Sequence, residues 1–231
     1  MQIYGLNKTT LLDYPKHLAA TIFLGGCNMR CPFCHNASLV TGLHNTAVLP
    51  EEEVFHYLSR RQGILEGVCI TGGEPTLYHE LPAFIRKIKS LGFKVKLDTN
   101  GTNPALMKSL ATDGLIDYIA MDIKNAKEKY PISSGIKDLD ISSVEESVSF
   151  LLSGSLDYEF RTTIVRELHT REDMISIGEW IRDARAYYLQ SYLDSGDILS
   201  PGFHSHSKDI LQNFVDLVSP YVEYIALRGV D

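Results

Sequence analysis

The chain has 231 residues, of which 44% are hydrophobic and 22% are charged, and its formal net charge is −7. These values are ordinary for a soluble α/β protein, so we expect one domain over residues 1–231. The acidic balance argues against a broad nucleic-acid interface, and no apolar run approaches the roughly 18 residues of a membrane span. Because the polar N-terminus also lacks a signal-peptide pattern, we predict a cytoplasmic protein with no membrane partner.

Apolar, strand-like runs alternate with helical patterns along the chain. The predicted strands are residues 18–24, 67–71, 93–97, 116–121, 158–164 and 187–193, with a further candidate at 222–227. The predicted helices are residues 50–61, 81–91, 103–113, 142–152, 171–185 and 207–218, and the polar segment 125–140 is predicted to be a loop that is mobile or meets a partner. Repeated βα units predict parallel strands, and six units are too few for a closed eight-stranded barrel. We therefore predict an α/β fold, a partial (β/α)6 barrel open on one side.

Three cysteines follow the first predicted strand, in the run Cys27-Asn-Met-Arg-Cys31-Pro-Phe-Cys34-His35. Thiolates are the ligands of iron–sulfur clusters, and a cubane cluster normally takes four of them. A loop that offers only three leaves one iron open, and an open position is typical of a catalytic metal site. The C-x3-C-x2-C spacing therefore favours one [4Fe–4S] cluster on Cys27, Cys31 and Cys34.

Other interpretations of the cysteines carry less weight. With His35 they offer the ligands of a Cys3His zinc site, but structural zinc sites usually draw on two separated ligand pairs, and no second pair is present. A disulfide framework is unnecessary for a core of this size. The fourth cysteine, Cys69, lies in an apolar run and is predicted to be a core residue.

The ends of the next predicted strands carry the other distinctive residues. Gly72-Gly73-Glu74-Pro75 follows the second strand, where glycines allow a close approach and Glu74 can accept hydrogen bonds from an ammonium group. Taken alone, this run is equally typical of a tight turn. Asp98 and Thr99 follow the third strand as candidates for a ligand or cation contact, whereas Asn100-Gly101 is a common turn signal.

Charged residues interrupt two later strands. Asp122 and Lys124 alternate with apolar neighbours at the end of the fourth strand, which fits either a surface ion pair or a ligand site. Arg161 lies inside an apolar run, where a paired or ligand-bound role is favoured. His169, His204 and His206 are predicted to be solvated loop residues.

Together these motifs resemble the glycyl-radical-enzyme activating branch of the radical S-adenosylmethionine (SAM) superfamily. Within that branch, the run Gly5-Leu-Asn-Lys-Thr-Thr-Leu-Leu-Asp13-Tyr14-Pro15, leading to the cysteine motif, is similar to that of anaerobic ribonucleoside-triphosphate reductase activating proteins. The resemblance covers nearly the whole chain and is most specific over residues 5–36 and 67–75. It implies a partial barrel of radical SAM type and one cluster, since the cysteine-rich insert of some activators is absent.

The resemblance also implies a reaction and a set of SAM contacts. The reduced cluster cleaves SAM to methionine and a 5′-deoxyadenosyl radical, which takes a hydrogen atom from a glycine of a partner enzyme. Carried over by position, the SAM contacts are Phe33 at the adenine, Gly72, Gly73 and Glu74 at the amino group, Asp98 at SAM or a nearby cation, Lys124 at the carboxylate, and Arg161 in the ligand region. No further catalytic side chain is expected. Related activators have a histidine near the end of strand six that is absent here, and Gln190 and Tyr192 are the candidates to substitute for it.

The implied partners are a glycyl radical enzyme and an electron donor such as flavodoxin or ferredoxin. Anaerobic ribonucleotide reductase is the expected target. Pyruvate formate-lyase or another glycyl radical enzyme is the alternative, as is a radical SAM reaction on a small molecule or RNA. A zinc-stabilised binding module without catalysis is the alternative from a different class of protein.

Overall fold

The computed structural model describes residues 1–154 and 156–230, and for Asn45 the backbone alone. Its strands in that part of the chain are β1 Ile3–Thr10, β2 Ala19–Leu24, β3 Gly67–Gly72, β4 Lys94–Thr99, β5 Tyr118–Asp122, β6 Asp157–Ile164, β7 Tyr187–Ser191 and β8 Ile225–Arg228. They form one sheet in the order β1-β2-β3-β4-β5-β6-β7-β8, which is open because it begins at β1 and ends at β8. The predicted α/β class and the open sheet are confirmed.

Helices connect the strands. They are α1 Ala37–Val40, α2 Glu51–Ser59, α3 Leu81–Ser90, α4 Pro104–Thr112, α5 Tyr130–Ser134, α6 Ser142–Ser153, α7 Arg171–Trp180 and α8 Lys208–Val218. All six predicted helices are present, and most begin where capping residues or an early proline predict. No helix among the described residues is long and apolar enough to cross a membrane.

Two compact units make up the chain, and their segments alternate in the sequence. The first unit contains residues 1–28, 38–99 and 103–120, and the second contains residues 29–37, 100–102 and those from 121 onward. The prediction of a single domain over residues 1–231 stays a prediction.

The first unit is built on β1 to β4. β1 is antiparallel to β2, whereas β2, β3 and β4 are parallel, with Leu24 opposite Gly72 and Ile70 opposite Leu97. The central residues of β2 and β3 are fully buried, as their uninterrupted apolar sequence predicts. This register brings the carboxyl ends of the parallel strands to one edge of the unit.

The second unit contains the parallel strands β6, β7 and β8, in which Phe160 lies opposite Tyr187. Its last strand is tied to β6 by Arg228, whose two terminal nitrogens donate to the two carboxylate oxygens of the buried Glu159 at 2.7 and 2.8 Å. A bidentate pair of this kind also fixes geometry, so it holds the short strand β8 in register.

Two elements differ from the prediction. β1 was not predicted, because it is an edge strand with a mostly exposed central stretch and it contains Gly5 and Asn7, residue types that strands disfavour. The segment 125–140 is not a plain loop, since it contains α5, and Tyr130, Ser133 and Ser134 of that helix are buried. Although its sequence is polar, the segment forms a short helix that packs within the second unit.

α6 begins without a capping box at Ser142, whereas α7 has one at Thr170. α6 has Ile141 at its N-cap position without a side-chain cap, whereas the Thr170 side chain and Asp173 cap α7 reciprocally. We expect Thr170→Ala to lower the free energy of unfolding by about 1 kcal/mol, because it removes the cap. The matched change Ser142→Ala should lower the free energy of unfolding by no more than a few tenths of a kcal/mol. Urea denaturation measures both changes. Equal losses in the two variants would contradict the assignment.

Candidate functional site

In the first unit, the end of β3 packs directly on the chain that leads into the cysteine motif. The Gly73 amide donates to the Leu24 carbonyl at 2.8 Å, and the Glu74 amide donates to the Gly26 carbonyl at 2.7 Å. A Cβ atom on Gly72 would lie 2.2 Å from the Leu24 carbonyl oxygen, and one on Gly73 would lie 1.9 Å from that of Gly26. The backbone contact with residues 24–26 is therefore what requires these two glycines.

Glu74 is a buried carboxylate in the same unit, and the strand ends organise it. Its Oε1 accepts hydrogen bonds from the Thr76 amide at 3.1 Å, from the Thr76 hydroxyl at 2.5 Å and from the Thr99 hydroxyl at 2.8 Å. The Thr76 carbonyl in turn accepts from the Asn103 side chain that caps α4. Glu74 is thus held in one orientation by β3, β4 and α4.

Asp98 belongs to a buried polar cluster that the sequence analysis missed. Lys96, which is 1% exposed, donates to the Asp98 carboxylate, and the Cys69 sulfur lies 3.7 Å from the same carboxylate. Lys96 and Asp98 share a face of β4 because strand side chains alternate. The alternation of Lys94, Lys96 and Asp98 with apolar residues was a signal that could have found this cluster. Cys69 is fully buried, as predicted, although its surroundings are polar.

The cysteines of the motif are all free thiols. Cys27 belongs to the first unit and is half-buried, whereas Cys31 and Cys34 belong to the second, where Cys31 is buried and Cys34 half-buried. The amide of Cys34 donates to the Cys31 carbonyl at 2.9 Å, which makes a tight turn. No disulfide joins cysteines in the described part of the chain, so the thiols are available as ligands.

Backbone contacts within the second unit hold the loop of residues 29–37. The Arg30 amide donates to the Ser134 carbonyl at 2.8 Å, and the Ser200 amide donates to the Pro32 carbonyl at 2.9 Å. Gly135 has a φ of +71°, and a Cβ atom there would lie 2.0 Å from the Arg30 carbonyl oxygen. The loop is thus fixed by the end of α5 and by the segment around residue 200. Phe33 lies within it and is buried.

Asp122, Lys124 and Arg161 form one ion-pair network at the ends of β5 and β6. The two carboxylate oxygens of Asp122 accept from Arg161 Nε at 2.9 Å and from Lys124 Nζ at 3.0 Å. The side chain of Asp122 is 29% exposed, that of Lys124 17% and that of Arg161 13%, so these residues do not form a solvated surface pair. A surface ion pair, one of the two alternatives for Asp122 and Lys124, is therefore wrong as to exposure, and the ligand role of Lys124 stays a prediction.

Electrostatics keeps all three groups charged. Burial alone would raise the pKa of Asp122, but the attraction of Arg161 and Lys124 lowers it well below its ordinary value. Burial would lower the pKa of Lys124, yet Asp122 and, to a smaller degree, Cys31 raise it above its ordinary value. Lys124 is therefore a permanent cation, and Cys31 is one of the groups with which it interacts electrostatically.

His169 is buried, and the prediction that it is solvated is wrong. It is 1% exposed, its Nδ1 accepts from the Val165 amide at 3.0 Å, and its Nε2 lies 3.0 Å from the Lys124 carbonyl oxygen. These partners fit a neutral ring with its proton on Nε2. His169 thereby holds the backbone of Lys124 in place. His204 is exposed, as expected, and pairs with Glu167.

Protonation of His169 should make stability depend on pH. Burial lowers its pKa below the ordinary 6.5, so its contribution is complete above that pH and is lost as the pH falls below it. We expect the free energy of unfolding to decline by up to about 1.4 kcal/mol per pH unit in that window through this group. Urea titrations of wild type and His169→Asn should therefore differ in slope there. A wild-type slope in His169→Asn would contradict the assignment.

Two buried polar side-chain atoms of the second unit have no hydrogen-bond partner among the described residues, the Tyr192 hydroxyl and Nδ1 of His206, which is half-buried rather than solvated as predicted. The hydroxyl of Tyr192, a residue that is 4% exposed and directly follows β7, is unpaired among the described residues. An unmade hydrogen bond of this kind usually marks the place of a missing ligand or water. Gln190, the other residue considered there, lies within β7 and is half-buried. The residues present thus fit the expected cofactors. The cysteine motif offers three thiols for a cluster, and the Tyr192 hydroxyl can form a hydrogen bond with a ligand.

The described residues suit a single metal ion less well than they suit a cluster. In the described residues, no group of three or more His, Cys, Asp or Glu is arranged to hold a metal ion. In a cubane cluster, by contrast, each thiolate binds a different iron, so the ligands do not converge on one point. The roles predicted for Phe33, Gly72, Gly73, Glu74, Asp98, Lys124 and Arg161 in binding SAM, and for the three cysteines in binding iron, stay predictions.

Known proteins share both the sequence pattern and the fold. The profile of the Radical SAM superfamily matches residues 21–152, more than half of the chain. A Methanocaldococcus jannaschii protein named as a glycyl-radical enzyme activating enzyme is 29% identical over 236 residues, covering 99% of this chain and 96% of its own. A 7-carboxy-7-deazaguanine synthase from Koribacter versatilis is 30% identical over 156 residues, covering 66% of this chain and 64% of its own.

Solved structures show the same architecture at low identity. Streptococcus suis SuiB bound to S-adenosylmethionine has a TM-score of 0.68 at 14% identity, covering 90% of this chain and 52% of SuiB. The enzyme anSMEcpe with bound AdoMet has a TM-score of 0.60 at 18% identity, covering 87% of this chain and 61% of that one. The chain thus spans about half the length of these structural neighbours.

The chain thus combines an open α/β sheet with three cysteines in the loop after a parallel strand, the arrangement expected of a radical SAM enzyme. Since the superfamily profile covers more than half of the chain, the chain belongs to the Radical SAM superfamily. Its cofactors are those of that superfamily, a [4Fe–4S] cluster and SAM.

Proposed function

We propose that this protein is an activase that cleaves SAM reductively and generates a glycyl radical on a partner enzyme. The observation that carries the proposal is similarity over essentially the whole chain to the activating enzyme named above, at 99% coverage. The similarity to the deazaguanine synthase covers only 66% of the chain, which favours a protein over a small molecule as substrate. When bound, the cofactors supply the electron and the 5′-deoxyadenosyl radical for this reaction.

The residues of the chain would bind and orient the cofactors. We propose that Cys27, Cys31 and Cys34 hold the cluster, while the cation of Lys124 attracts the SAM carboxylate. Arg161 would lie in the same ligand region, kept there by its pair with Asp122. Phe33 would contact the adenine. These assignments rest on the sequence motifs, on the free thiols and on the permanent charge of Lys124.

The first unit would receive the SAM amino group. Gly72 and Gly73 would offer backbone groups, and the carboxylate of Glu74 would attract the ammonium, with Asp98 at SAM or a nearby cation. The fixed orientation of Glu74 supports this role, because an immobilised carboxylate loses little entropy on binding.

Glu74→Gln tests the carboxylate. It should weaken SAM binding by about tenfold or more, because it removes a charge-assisted contact, and it should leave the iron content unchanged. Equilibrium dialysis of SAM against the reconstituted protein measures the affinity. The matched change Glu80→Gln, at an exposed residue of the same unit, is the control. Equal SAM affinities in wild type and Glu74→Gln would contradict the assignment.

Tyr192 would take the place of the histidine that related activators carry near the end of their sixth strand, which corresponds to β7 here. Its buried hydroxyl has no partner among the described residues and can be satisfied by a polar group of the adenosine. Tyr192→Phe should therefore weaken SAM binding without loss of stability, because it removes only the unpaired hydroxyl. Gln190→Leu serves as the comparison, since a larger effect there would transfer the adenosine contact to Gln190.

The partner we propose is an anaerobic ribonucleoside-triphosphate reductase, from the run Gly5–Pro15 that is similar to its activating proteins. A flavodoxin or ferredoxin in the cytoplasm would supply the electron. Pyruvate formate-lyase or another glycyl radical enzyme is the second candidate, since the cluster and SAM residues do not select the partner.

Electron paramagnetic resonance tests the whole proposal. The reduced holoprotein is mixed with SAM and each candidate partner, and a glycyl doublet on the reductase is the expected result. A doublet only on a formate-lyase-type enzyme would reassign the partner. SAM cleavage without a doublet on any candidate would overturn the activase proposal, and a zinc-loaded protein without cleavage would favour the binding module.

A further inference from the structure

A groove opens in the first unit between the edge strand β1 and helix α2. Its volume is 1060 Å³, and its walls include Tyr4, Gly5 and Leu6 on one side and Tyr57 on the other. β1 pairs with β2 on its inner edge. Along its outer edge, the only strand pairing in the described part of the chain is the isolated bridge between Ile3 and Leu49. The backbone of Gly5 and Leu6 therefore borders the groove as an unpaired strand edge.

The groove has a cationic end. Ile3 contacts Leu49 at one end of β1, and the Tyr57 hydroxyl donates to the Lys8 carbonyl at the other, so α2 runs in the same direction as β1. Arg60 and Arg61 follow α2 and therefore lie toward the Lys8 end. Lys8 Nζ and the Arg61 guanidinium lie 5.8 and 5.4 Å from the centre of the Tyr57 ring.

The opposite end of the groove is acidic, with Glu52 and Glu53 in the first turn of α2. This polarity disfavours a nucleic acid, whose phosphates need cations along the whole path. Natural edge strands are often protected by a single lysine. Here two arginines from a second element accompany Lys8, in a protein whose net charge is −7. The concentration of cations points to a ligand with a complementary acidic end.

We propose that this groove binds an extended, acidic segment of a partner polypeptide, which adds as a strand to the outer edge of β1. Backbone hydrogen bonds to an open edge supply affinity in such complexes, and the side-chain pockets supply specificity. The acidic side chains of the segment would lie between Lys8, Arg60 and Arg61, and its apolar side chains would pack on Tyr4 and Tyr57. The surface is a site for a protein partner that is separate from the proposed SAM contacts.

The test uses a fluorescent nine-residue peptide of alternating Val and Thr that carries two Glu at one end, prepared in both sequence orders. Fluorescence anisotropy with the full-length, cluster-reconstituted protein measures binding. We expect one of the two orders to bind, since the groove has distinct ends. The same peptide with Lys in place of Glu should bind at least about tenfold more weakly, because it loses charge-assisted contacts.

Two further comparisons separate strand addition from simple charge attraction. Arg60→Glu should weaken binding of the acidic peptide about tenfold, whereas Arg86→Glu, an exposed arginine on α3 with the same change in net charge, should not. A peptide with alternate N-methylated amides cannot complete the ladder and should also lose binding. Circular dichroism of the variants verifies that they are folded.

The proposal fails if the N-methylated peptide binds as well as the parent, because the surface is then only a charged patch. It fails equally if Arg60→Glu and Arg86→Glu have the same effect or if neither order of the acidic peptide binds. Dimerisation of the protein that Arg60→Glu abolishes would assign the groove to a second copy of the chain and overturn it. None of these outcomes depends on SAM cleavage, so the proposed function is tested separately.

Discussion

Cys31→Ser should abolish the cluster and with it all reductive cleavage of SAM. Cys31 is buried in a loop that α5 anchors, and it interacts electrostatically with the cation of Lys124. A serine hydroxyl at this position is a far poorer iron ligand, since soft thiolates are the ligands that iron–sulfur clusters select. We expect the iron content and the visible absorption of the anaerobically reconstituted protein to fall to near background. SAM cleavage should fall by several orders of magnitude.

Cys69→Ser is the matched control, because it makes the same chemical change at the fourth cysteine. Cys69 is fully buried, and its sulfur lies 3.7 Å from the Asp98 carboxylate, so a serine hydroxyl there can donate to the same group. We expect wild-type iron content in this variant. Loss of iron from Cys69→Ser, or a full cluster in Cys31→Ser, would contradict the ligand assignment. Zinc bound in place of iron after reconstitution would support the binding-module alternative.

Asp122→Asn should be the most damaging change outside the cysteines. The carboxylate pairs with two cations that are mostly removed from water, Lys124 and Arg161, and the substitution removes the negative charge that both of them share. Breaking such a pair costs about 3–5 kcal/mol of unfolding free energy. Because the pKa of Asp122 is lowered in the folded protein, its contribution is complete above the ordinary pKa of a carboxyl group and is fully present at neutral pH.

Urea denaturation of the holoprotein at pH 7 measures this loss. The control is Glu145→Gln, which removes the partner of Lys127 from an ion pair in which both side chains are about two-fifths exposed. That change should cost less than about 1 kcal/mol, because exposed pairs contribute little. Similar losses in the two variants would show that the Asp122 network behaves as a surface pair. If Lys124 binds the SAM carboxylate, Asp122→Asn should also alter SAM affinity, which dialysis would reveal.

The local order of elements and the cysteine motif were predictable because they depend on short-range patterns. Uninterrupted apolar runs predicted β2 and β3, since a strand covered on both faces has no polar position. Proline and asparagine marked the start of α4 for reasons that act within one helical turn. The spacing of Cys27, Cys31 and Cys34 carries its chemistry in the sequence itself. The family could therefore be identified from local sequence.

The tertiary structure decided the properties that depend on distant neighbours. His169 is polar and follows a strand, and only its contacts with Val165 and the Lys124 carbonyl show that it is buried and neutral. Ser142 and Thr170 have similar capping sequences, yet only Thr170 has the backbone geometry of a cap. The contact that fixes His169, for example, joins its ring to the Lys124 carbonyl, 45 positions away in the sequence. Sequence periodicity contains no record of such pairings, because they arise when separate strands come together.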